Sequence, residues 1–573
     1  CSLNEFFIGE EMPISIVNFG SLFRFDFKEN LELLFYHLME KGVFIWEWRN
    51  YFLSTAHSEA DIEFVIQKIR ESALALRDGD FLGKTPPAIN PVSQDQLRHS
   101  IESLRMSKAQ EQLYTLSRIS SDASKVYQVG ATVTFSGTMS LDRLQTAFQK
   151  AVLSNPSLNL VVNNSSGQLS EVKSFPELKI IDSFRDDQDD GALQAWIDKP
   201  LDFDFDLETG PLIKGLVVRV GEEKLILRIV GHHFAIDGIS MNLLFRQIID
   251  LYDSPESIDR KARPGLQDYL SYFKEQNLDK EKAFWKRQLK DPPEALLIPS
   301  DCPPPVNPSF EARRFLFRFD PADSLKLKEK ATANQCTGFM YFFALYSFWL
   351  KRLTEVDDFI VGVPVAGRMG KIFSDTIGYF THLMPVRVNS KIDDEKIDFM
   401  AEVRRTLLEA YEHQNLPYSE IMEAINGRGD SLHHDPILSV IFNFDEPGEL
   451  AHPADVNISW CPTVAGYTAF GLTCNVTVSE NAYFVELLFP SDRVSEDLAK
   501  SLGDSFIKTI SEVGALGVAG VRQTDIASAT DIERQYLNFE NGSASPVPIS
   551  VISGIESALK IHSDRVAIVA NDD

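Results

Sequence analysis

Cysteine is scarce in this chain, with five in 573 residues (Cys1, Cys302, Cys336, Cys461 and Cys474). None forms a Cys-x-x-Cys pair or stands at metal-ligand spacing, which excludes a disulfide scaffold and a thiolate metal site. The thiols read as buried, free and cytoplasmic. Long apolar runs are missing too: no stretch of about 18 apolar residues occurs, so no segment is expected to span a membrane. Positive charge is in deficit, 56 Lys and Arg against 83 Asp and Glu for a net charge of −27. That balance argues against nucleic acid or an anionic membrane as partner. The chain opens on Cys1 with neither Met nor signal peptide and closes within the strand-like run Val566-Ala567-Ile568-Val569-Ala570. Both ends read as cuts from something longer.

Apolar and aromatic residues are plentiful, at 44% and 11% of the chain with 40 Phe. At this length two large lobes with smaller pieces around them are expected. Residues 1–78 alternate strand and helix: a strand over Ser21–Phe25, a helix from Leu31 closed by Gly42, a second strand pair over Val43–Ala56, and a helix over Ser58–Ala75 capped by Ser58. Residues 79–103 are a Gly- and Pro-punctuated linker. A second α/β pattern fills 104–300, with a helix opening at Met106–Tyr114, a strand over Gly130–Ser136 and a helix over Leu141–Val152. Residues 260–300 are polar and helical, and Tyr269, Tyr272, Phe273, Phe284 and Trp285 are spaced for packing. A third α/β pattern fills 301–525: a strand over Phe315–Phe319, an apolar helix over Phe339–Leu353, and strands over Ile360–Val365 and His382–Val388. Residues 526–573 start as a polar linker.

One stretch concentrates chemistry. The aliphatic run Leu225–Val230 reads as a buried strand, and Ser240–Ile249 has apolar spacing near 3.6, which reads as a helix that Ser240 could cap. Between them lies Gly231-His232-His233-Phe234-Ala235-Ile236-Asp237-Gly238. An exposed imidazole at the end of a strand and beside a helix start is well placed for acid–base or hydrogen-bond chemistry. The ordinary alternative is a satisfied core histidine followed by an Asp-Gly turn.

The His232-His233-x-x-x-Asp237-Gly238 pattern resembles the active-site signature of the condensation domains of nonribosomal peptide synthetases. Ser107-x-Ala109-Gln110, Gln267-Asp268-Tyr269, Ile377-Gly378-Tyr379-Phe380, His413-Gln414-Asn415-Leu416-Pro417 and Asp435–Phe442 are similar to that family's other motifs, in order and spacing. The resemblance covers residues 104–525. It implies an α/β fold of two chloramphenicol-acetyltransferase-like lobes forming a V-shaped pseudo-dimer, with His233 at a tunnel between them. Gln112 and the run Ser154–Asn159 depart from positions where the family carries arginine or histidine. Ile239 stands where it often carries tryptophan. Phe35–Val43 and Phe52–Ile62 resemble the C-terminal end of a glutamate-semialdehyde-type aminotransferase. Residues 547–573 resemble the start of an adenylation domain.

The resemblance implies an amide-forming acyltransferase, with donor and acceptor both held as thioesters on the phosphopantetheine arms of carrier domains. It gives His233 the attacking amine, His232 a packing role behind it, and Asp237 an ion pair with an arginine, for which Arg313 is the candidate. Gly238 would allow close backbone approach to substrate. An α-amino group has a pKa near 8, so roughly a tenth is neutral near pH 7 and no strong base is required. Orientation and charge stabilisation matter more. The aminotransferase piece lacks the lysine domain that anchors pyridoxal phosphate, so no cofactor is expected. An aminotransferase directly before a condensation domain resembles hybrid polyketide–peptide synthetases of the microcystin or mycosubtilin type, which implies an aminated ketide or β-amino acyl donor. The implied partners are an upstream acyl carrier, a downstream peptidyl carrier, and the adjoining aminotransferase and adenylation domains. A coenzyme-A-dependent acyltransferase and a non-catalytic carrier-binding platform are the competing readings.

Overall fold

The computed structural model describes residues 2–78 and 105–516, less short breaks that fall chiefly at 28–32, 44–50, 53–57, 185–192, 255–263, 390–398, 427–436 and 447–455. The expected linkers at 79–103 and 526–573, and the adenylation-like segment, lie outside these residues. So does most of the second strand pair expected over Val43–Ala56.

The N-terminal piece has a core of its own, in which Phe7, Leu34, Phe35, Leu38 and Leu76 are fully or almost fully buried. Strands Ile14–Phe19 and Leu22–Phe27 pair antiparallel, and Tyr51–Phe52 adds a third strand. The helix Leu33–Glu40 ends where Gly42 takes φ +82°, a conformation that favours glycine. The helix Glu59–Asp78 is capped as its sequence suggests: the Asp61 amide donates to Ser58 Oγ, and the Ser58 amide donates to Asp61 Oδ2 at 2.8 Å.

The first lobe runs through α1 (Lys108–Ile119), β1 (Gln128–Ser136), α2 (Leu141–Leu153), β2 (Leu178–Phe184), β3 (Ile213–Val220), β4 (Lys224–His232) and α3 (Gly238–Asp253). Strand β4 sits between β1 and β3, and eight of its nine residues are buried. That is why it reads as a continuous apolar run and not as an alternating one. Its buried charged residue, Arg228, is satisfied by Thr132 Oγ1 and by the carbonyls of Lys199 and Ile197, and it lies over the Trp196 ring.

Two helices, α4 (Leu266–Lys274) and α5 (Asp279–Gln288), precede the second lobe. That lobe contains β5 (Ala312–Arg318), α6 (Pro321–Ala333), α7 (Gly338–Thr354), β6 (Asp358–Val365), β7 (His382–Asn389), α8 (Phe399–Glu412) and α9 (Tyr418–Asn426). It continues with β8 (Val440–Asp445), β9 (Asn457–Cys461), β10 (Leu472–Ser479), β11 (Ala482–Pro490) and α10 (Glu496–Leu516). Its sheet has the order β5-β11-β10-β8-β6-β7. Helix α7 is buried from Met340 to Lys351, hydrophobic on every side because the sheet and the other helices enclose it.

The second lobe lends a strand to the first. β9 lies within the second lobe's sequence but pairs antiparallel with β1, Asn457 opposite Ser136 and Cys461 opposite Thr132, completing a first-lobe sheet of order β9-β1-β4-β3-β2. A boundary at residue 300 therefore divides the sequence but not the sheets. Ion pairs from Lys108 on α1 to Glu420 and Glu423 on α9 add a second link, at 2.6 and 3.0 Å. The expected packing role of the 260–300 aromatics is borne out: Trp285 is fully buried with its Nε1 donating to the His413 carbonyl, and Tyr269 packs edge-on against Phe373 and Phe380. The thiols need a correction. Among the described residues none of the four cysteines is in a disulfide, but only Cys336 and Cys474 are buried.

Candidate functional site

β4 ends on His232, opposite Gln128, and the chain then folds sharply back so that the amides of Ala235 and Ile236 both point to the His232 carbonyl. Gly231 makes the fold possible: a Cβ there would stand 2.5 Å from Ile236 Cγ2 and 2.6 Å from Ile213 Cδ1. Asp237 caps α3, its Oδ1 accepting from the Ser240 amide at 2.8 Å. The cap expected at Ser240 thus belongs to Asp237, and the helix starts correspondingly earlier.

The two histidines have opposite tautomers. His232 is wholly buried; its Nδ1 accepts from the Phe234 amide at 3.1 Å, which places the ring proton on Nε2, 3.2 Å from Ser124 Oγ. Burial, with some help from a charge on His233, pushes its pKa down to about 3, so it is a neutral structural ring. His233 is only partly buried, its amide donating to the Tyr127 carbonyl at 2.7 Å. Its Nδ1 stands 3.1 Å from the Ile236 carbonyl, an acceptor, so Nδ1 carries the proton and Nε2 keeps its lone pair. Burial lowers its pKa below the ordinary histidine value, against the opposing pull of Asp237 and the Ile236 carbonyl.

Asp237 is fully buried and does not pair with Arg313. Its partner is Arg368, from the loop after β6, with Nη2 2.9 Å from Oδ1. Arg313 lies on β5, where its Nε donates to the Val494 carbonyl at 3.0 Å. Burial alone would raise the Asp237 pKa, but the Arg368 charge and the amides of Ser240 and Phe380 outweigh it and hold the carboxyl below its usual range.

Around this pair the lobes are latched. Asp237 Oδ2 accepts from the amides of Phe380 at 3.0 Å and Thr381 at 3.3 Å. Ser240 Oγ donates to the Gly378 carbonyl at 2.9 Å and accepts from the Gly378 amide at 3.0 Å and from Arg368 at 2.6 Å. The 377–380 motif, the Asp-Gly turn and the post-β6 loop are thus one hydrogen-bonded unit. From the 377–380 motif the Tyr379 ring reaches the His233 ring, centroids 5.5 Å apart and planes at 45°. Gln110 ties in the first motif, its side-chain amide donating to the Phe234 carbonyl at 2.8 Å.

Gly238 and Ile239 are exposed at the start of α3, and a Cβ on Gly238 would meet nothing within 4 Å, so no protein atom there demands a glycine. Of the departures from the family pattern, Gln112 is exposed on α1, whereas Asn155 is buried and bonded to Gln247 Oε1 at 2.7 Å and to the Ala151 carbonyl at 2.7 Å. Asp435 and Pro436 lie outside the described residues. No cluster of three or more His, Cys, Asp or Glu able to hold a metal occurs among the described residues. No helix among them is long and apolar enough to cross a membrane.

The condensation-domain family model matches residues 101–536. Gramicidin S synthase 2 of Brevibacillus brevis is 23% identical over 489 residues, covering 84% of this chain and 11% of that protein, so the chain spans only a small part of this much longer relative. The first condensation domain of the calcium-dependent antibiotic synthetase, solved in complex with a substrate analogue, superposes with TM-score 0.60 at 18% identity, covering 74% of this chain and 98% of that one. A four-domain nonribosomal peptide synthetase bound to AMP and glycine superposes with TM-score 0.61 at 19% identity, covering 73% of this chain and 34% of that one. With a mixed α/β fold shared with solved condensation domains and a family match across both lobes, the chain belongs to the condensation domains of nonribosomal peptide synthetases, the acyltransferases that join carrier-bound substrates through an amide bond.

Proposed function

We propose that His233 receives the acceptor amine in this reaction, with the donor thioester set beside it between the lobes. The observation that carries the reading is the 3.1 Å contact of Nδ1 with the Ile236 carbonyl: an acceptor there assigns the ring proton to Nδ1, so Nε2 of a neutral ring is available as an acceptor. The amine nitrogen attacks the thioester carbon, the C–S bond breaks, and the phosphopantetheine sulfur leaves. The proton lost by the nitrogen passes to Nε2 and from there to the departing thiolate. Asp237 takes no part in proton transfer. Its carboxylate is saturated by Arg368 and three amides, and its work is to hold the loop and the opposite lobe in register.

The substrates are proposed from the neighbouring sequence. The aminotransferase-like residues 1–78 point to a donor aminated while on an upstream acyl carrier, a β-amino acyl or aminated ketide chain. The adenylation-like residues 547–573 point to an amino-acid acceptor on a downstream peptidyl carrier, within a cytoplasmic assembly line. Pyridoxal phosphate has no part in this reaction, and residues 1–78 are proposed to bind none.

The test mixes a panel of donor carriers loaded with 3-amino acyl groups and acceptor carriers loaded with amino acids, and reads amide product by intact mass. Wild type should form product and His233→Ala should form almost none, with the melting temperature retained. Full activity of His233→Ala would refute the assignment. Product from a free coenzyme A thioester but from no carrier-bound donor would favour a coenzyme-A-dependent acyltransferase instead.

A further inference from the structure

Tyr379 lies between two pinned peptides: the Gly378 amide donates to Ser240 Oγ and the Phe380 amide to Asp237 Oδ2, each at 3.0 Å. The latch therefore fixes where this second-lobe ring sits, and it sits against His233. The ring is half-buried, yet among the described residues its hydroxyl makes no hydrogen bond. Tyr269, in the same aromatic neighbourhood, shows the ordinary solution, with its hydroxyl donating to the Gly367 carbonyl. Unlike the Tyr346 hydroxyl, which is fully enclosed without a partner, the Tyr379 hydroxyl is not sealed in the protein, so water or an entering group can reach it. Its place on a ring held against His233 makes a substrate atom the natural exchange for that water.

We propose that Tyr379 is a second catalytic residue here, its phenol O–H donating a hydrogen bond to the carbonyl oxygen of the donor thioester. The inference rests on the His233 reading above. As the amine nitrogen bonds to the carbonyl carbon, the carbonyl π pair moves onto oxygen, and the Tyr379 hydrogen bond strengthens with the charge. When the tetrahedral adduct collapses, that pair re-forms C=O and the C–S bond breaks. The thiolate leaves with the proton that Nε2 took from nitrogen, so Tyr379 retains its own. Adjacent imidazole and phenol rings can then face the nitrogen and the oxygen on one tetrahedral carbon. Burial, reinforced by the Tyr127 phenol and the Asp237 carboxylate, raises the Tyr379 pKa, which keeps the group a donor at any working pH.

Tyr379→Phe removes the oxygen and keeps the ring. With the best donor and acceptor carriers from the panel above, kcat should fall by about 10²-fold, with KM for both carriers and the melting temperature unchanged. Replacing Tyr379 with 3-fluorotyrosine, a more acidic donor of nearly the same shape, should restore the rate, which a purely structural ring would not do. A wild-type kcat in Tyr379→Phe overturns the proposal, as does a loss confined to KM. If Tyr127→Phe loses the rate and Tyr379→Phe keeps it, the donor is Tyr127 and the proposal is likewise overturned. His233→Ala separates the two readings. An inactive His233→Ala beside a fully active Tyr379→Phe sinks the oxyanion donor alone, while an active His233→Ala sinks the histidine assignment on which it rests.

Discussion

Asp237→Asn isolates the latch. Its carboxylate is fully buried and accepts four hydrogen bonds, from Arg368 and from the amides of Ser240, Phe380 and Thr381. An asparagine of the same shape must turn its NH2 toward donors at one of the two oxygen positions, and it leaves Arg368, only 5% exposed in its side chain, without a counter-charge. Removing one partner of a buried ion pair costs about 3–5 kcal/mol. At about 2 °C per kcal/mol for a unit of this size, the melting temperature should drop by roughly 6–10 °C. Adding Arg368→Met should recover a large part of that loss, because an uncompensated charge is costlier than an absent pair. Scanning calorimetry on wild type, both single variants and the double variant gives the coupling energy directly. The reasoning is refuted if Asp237→Asn shifts the melting temperature by less than about 2 °C, or if the double variant is destabilised by the sum of the two singles.

Three further outcomes follow from the same geometry. In a histidine NMR titration His233 should deprotonate below the ordinary value of about 6.5, because burial disfavours its cation, and its 15N shifts at neutral pH should report the Nδ1–H form; a pKa at or above that value contradicts the neutral-acceptor reading. His232, with a pKa pushed down to about 3, binds its proton more readily when unfolded, so its stabilising effect is complete above about pH 6.5 and fades as pH falls toward the folded value. Denaturant unfolding at pH 5 should thus show about 2 kcal/mol less stability from this ring than at pH 7, and His232→Gln should flatten the slope by that amount. Gly367, at φ +64°, would place a Cβ 2.0 Å from the Phe380 carbonyl oxygen, so Gly367→Ala should lose at least about 2 kcal/mol in the same unfolding assay and slow condensation by displacing the neighbouring Arg368.

The local elements of the site were legible because each is fixed by its own neighbours. The buried run before His232, the apolar period after Ser240 and the turn at Asp237-Gly238 specify strand, loop and helix within about 30 residues of chain. Even the misread cap has a local cause: Asp237 and Ser240 are both good capping residues, and the choice between them depends on where the first helical turn closes. Once Asp237 takes the cap, the Ser240 hydroxyl is free to bond Gly378 across the lobes.

Arg313 failed for a different reason. A buried carboxylate needs a cation, and the sequence offers many; which one arrives is decided by how two sheets pack. Arg313 sits on β5, at the far edge of the second-lobe sheet, where its Nε is held by Val494. Arg368 follows β6, one strand from the opposite edge, and Gly367 at positive φ turns the chain there. A glycine that must turn, followed by a lone arginine at the end of a buried strand, is the signal that would have found it. The same reasoning explains β9, a short strand far along the chain whose pairing with β1 nothing nearby in sequence dictates. Because that donated strand and the Asp237–Arg368 latch both cross between lobes, separating the lobes would remove a strand from the sheet that carries His232 as well as the charge that holds its loop. The geometry of His233 is therefore a property of the joined lobes, and a first lobe expressed alone should bind neither its loop nor its substrates in this arrangement.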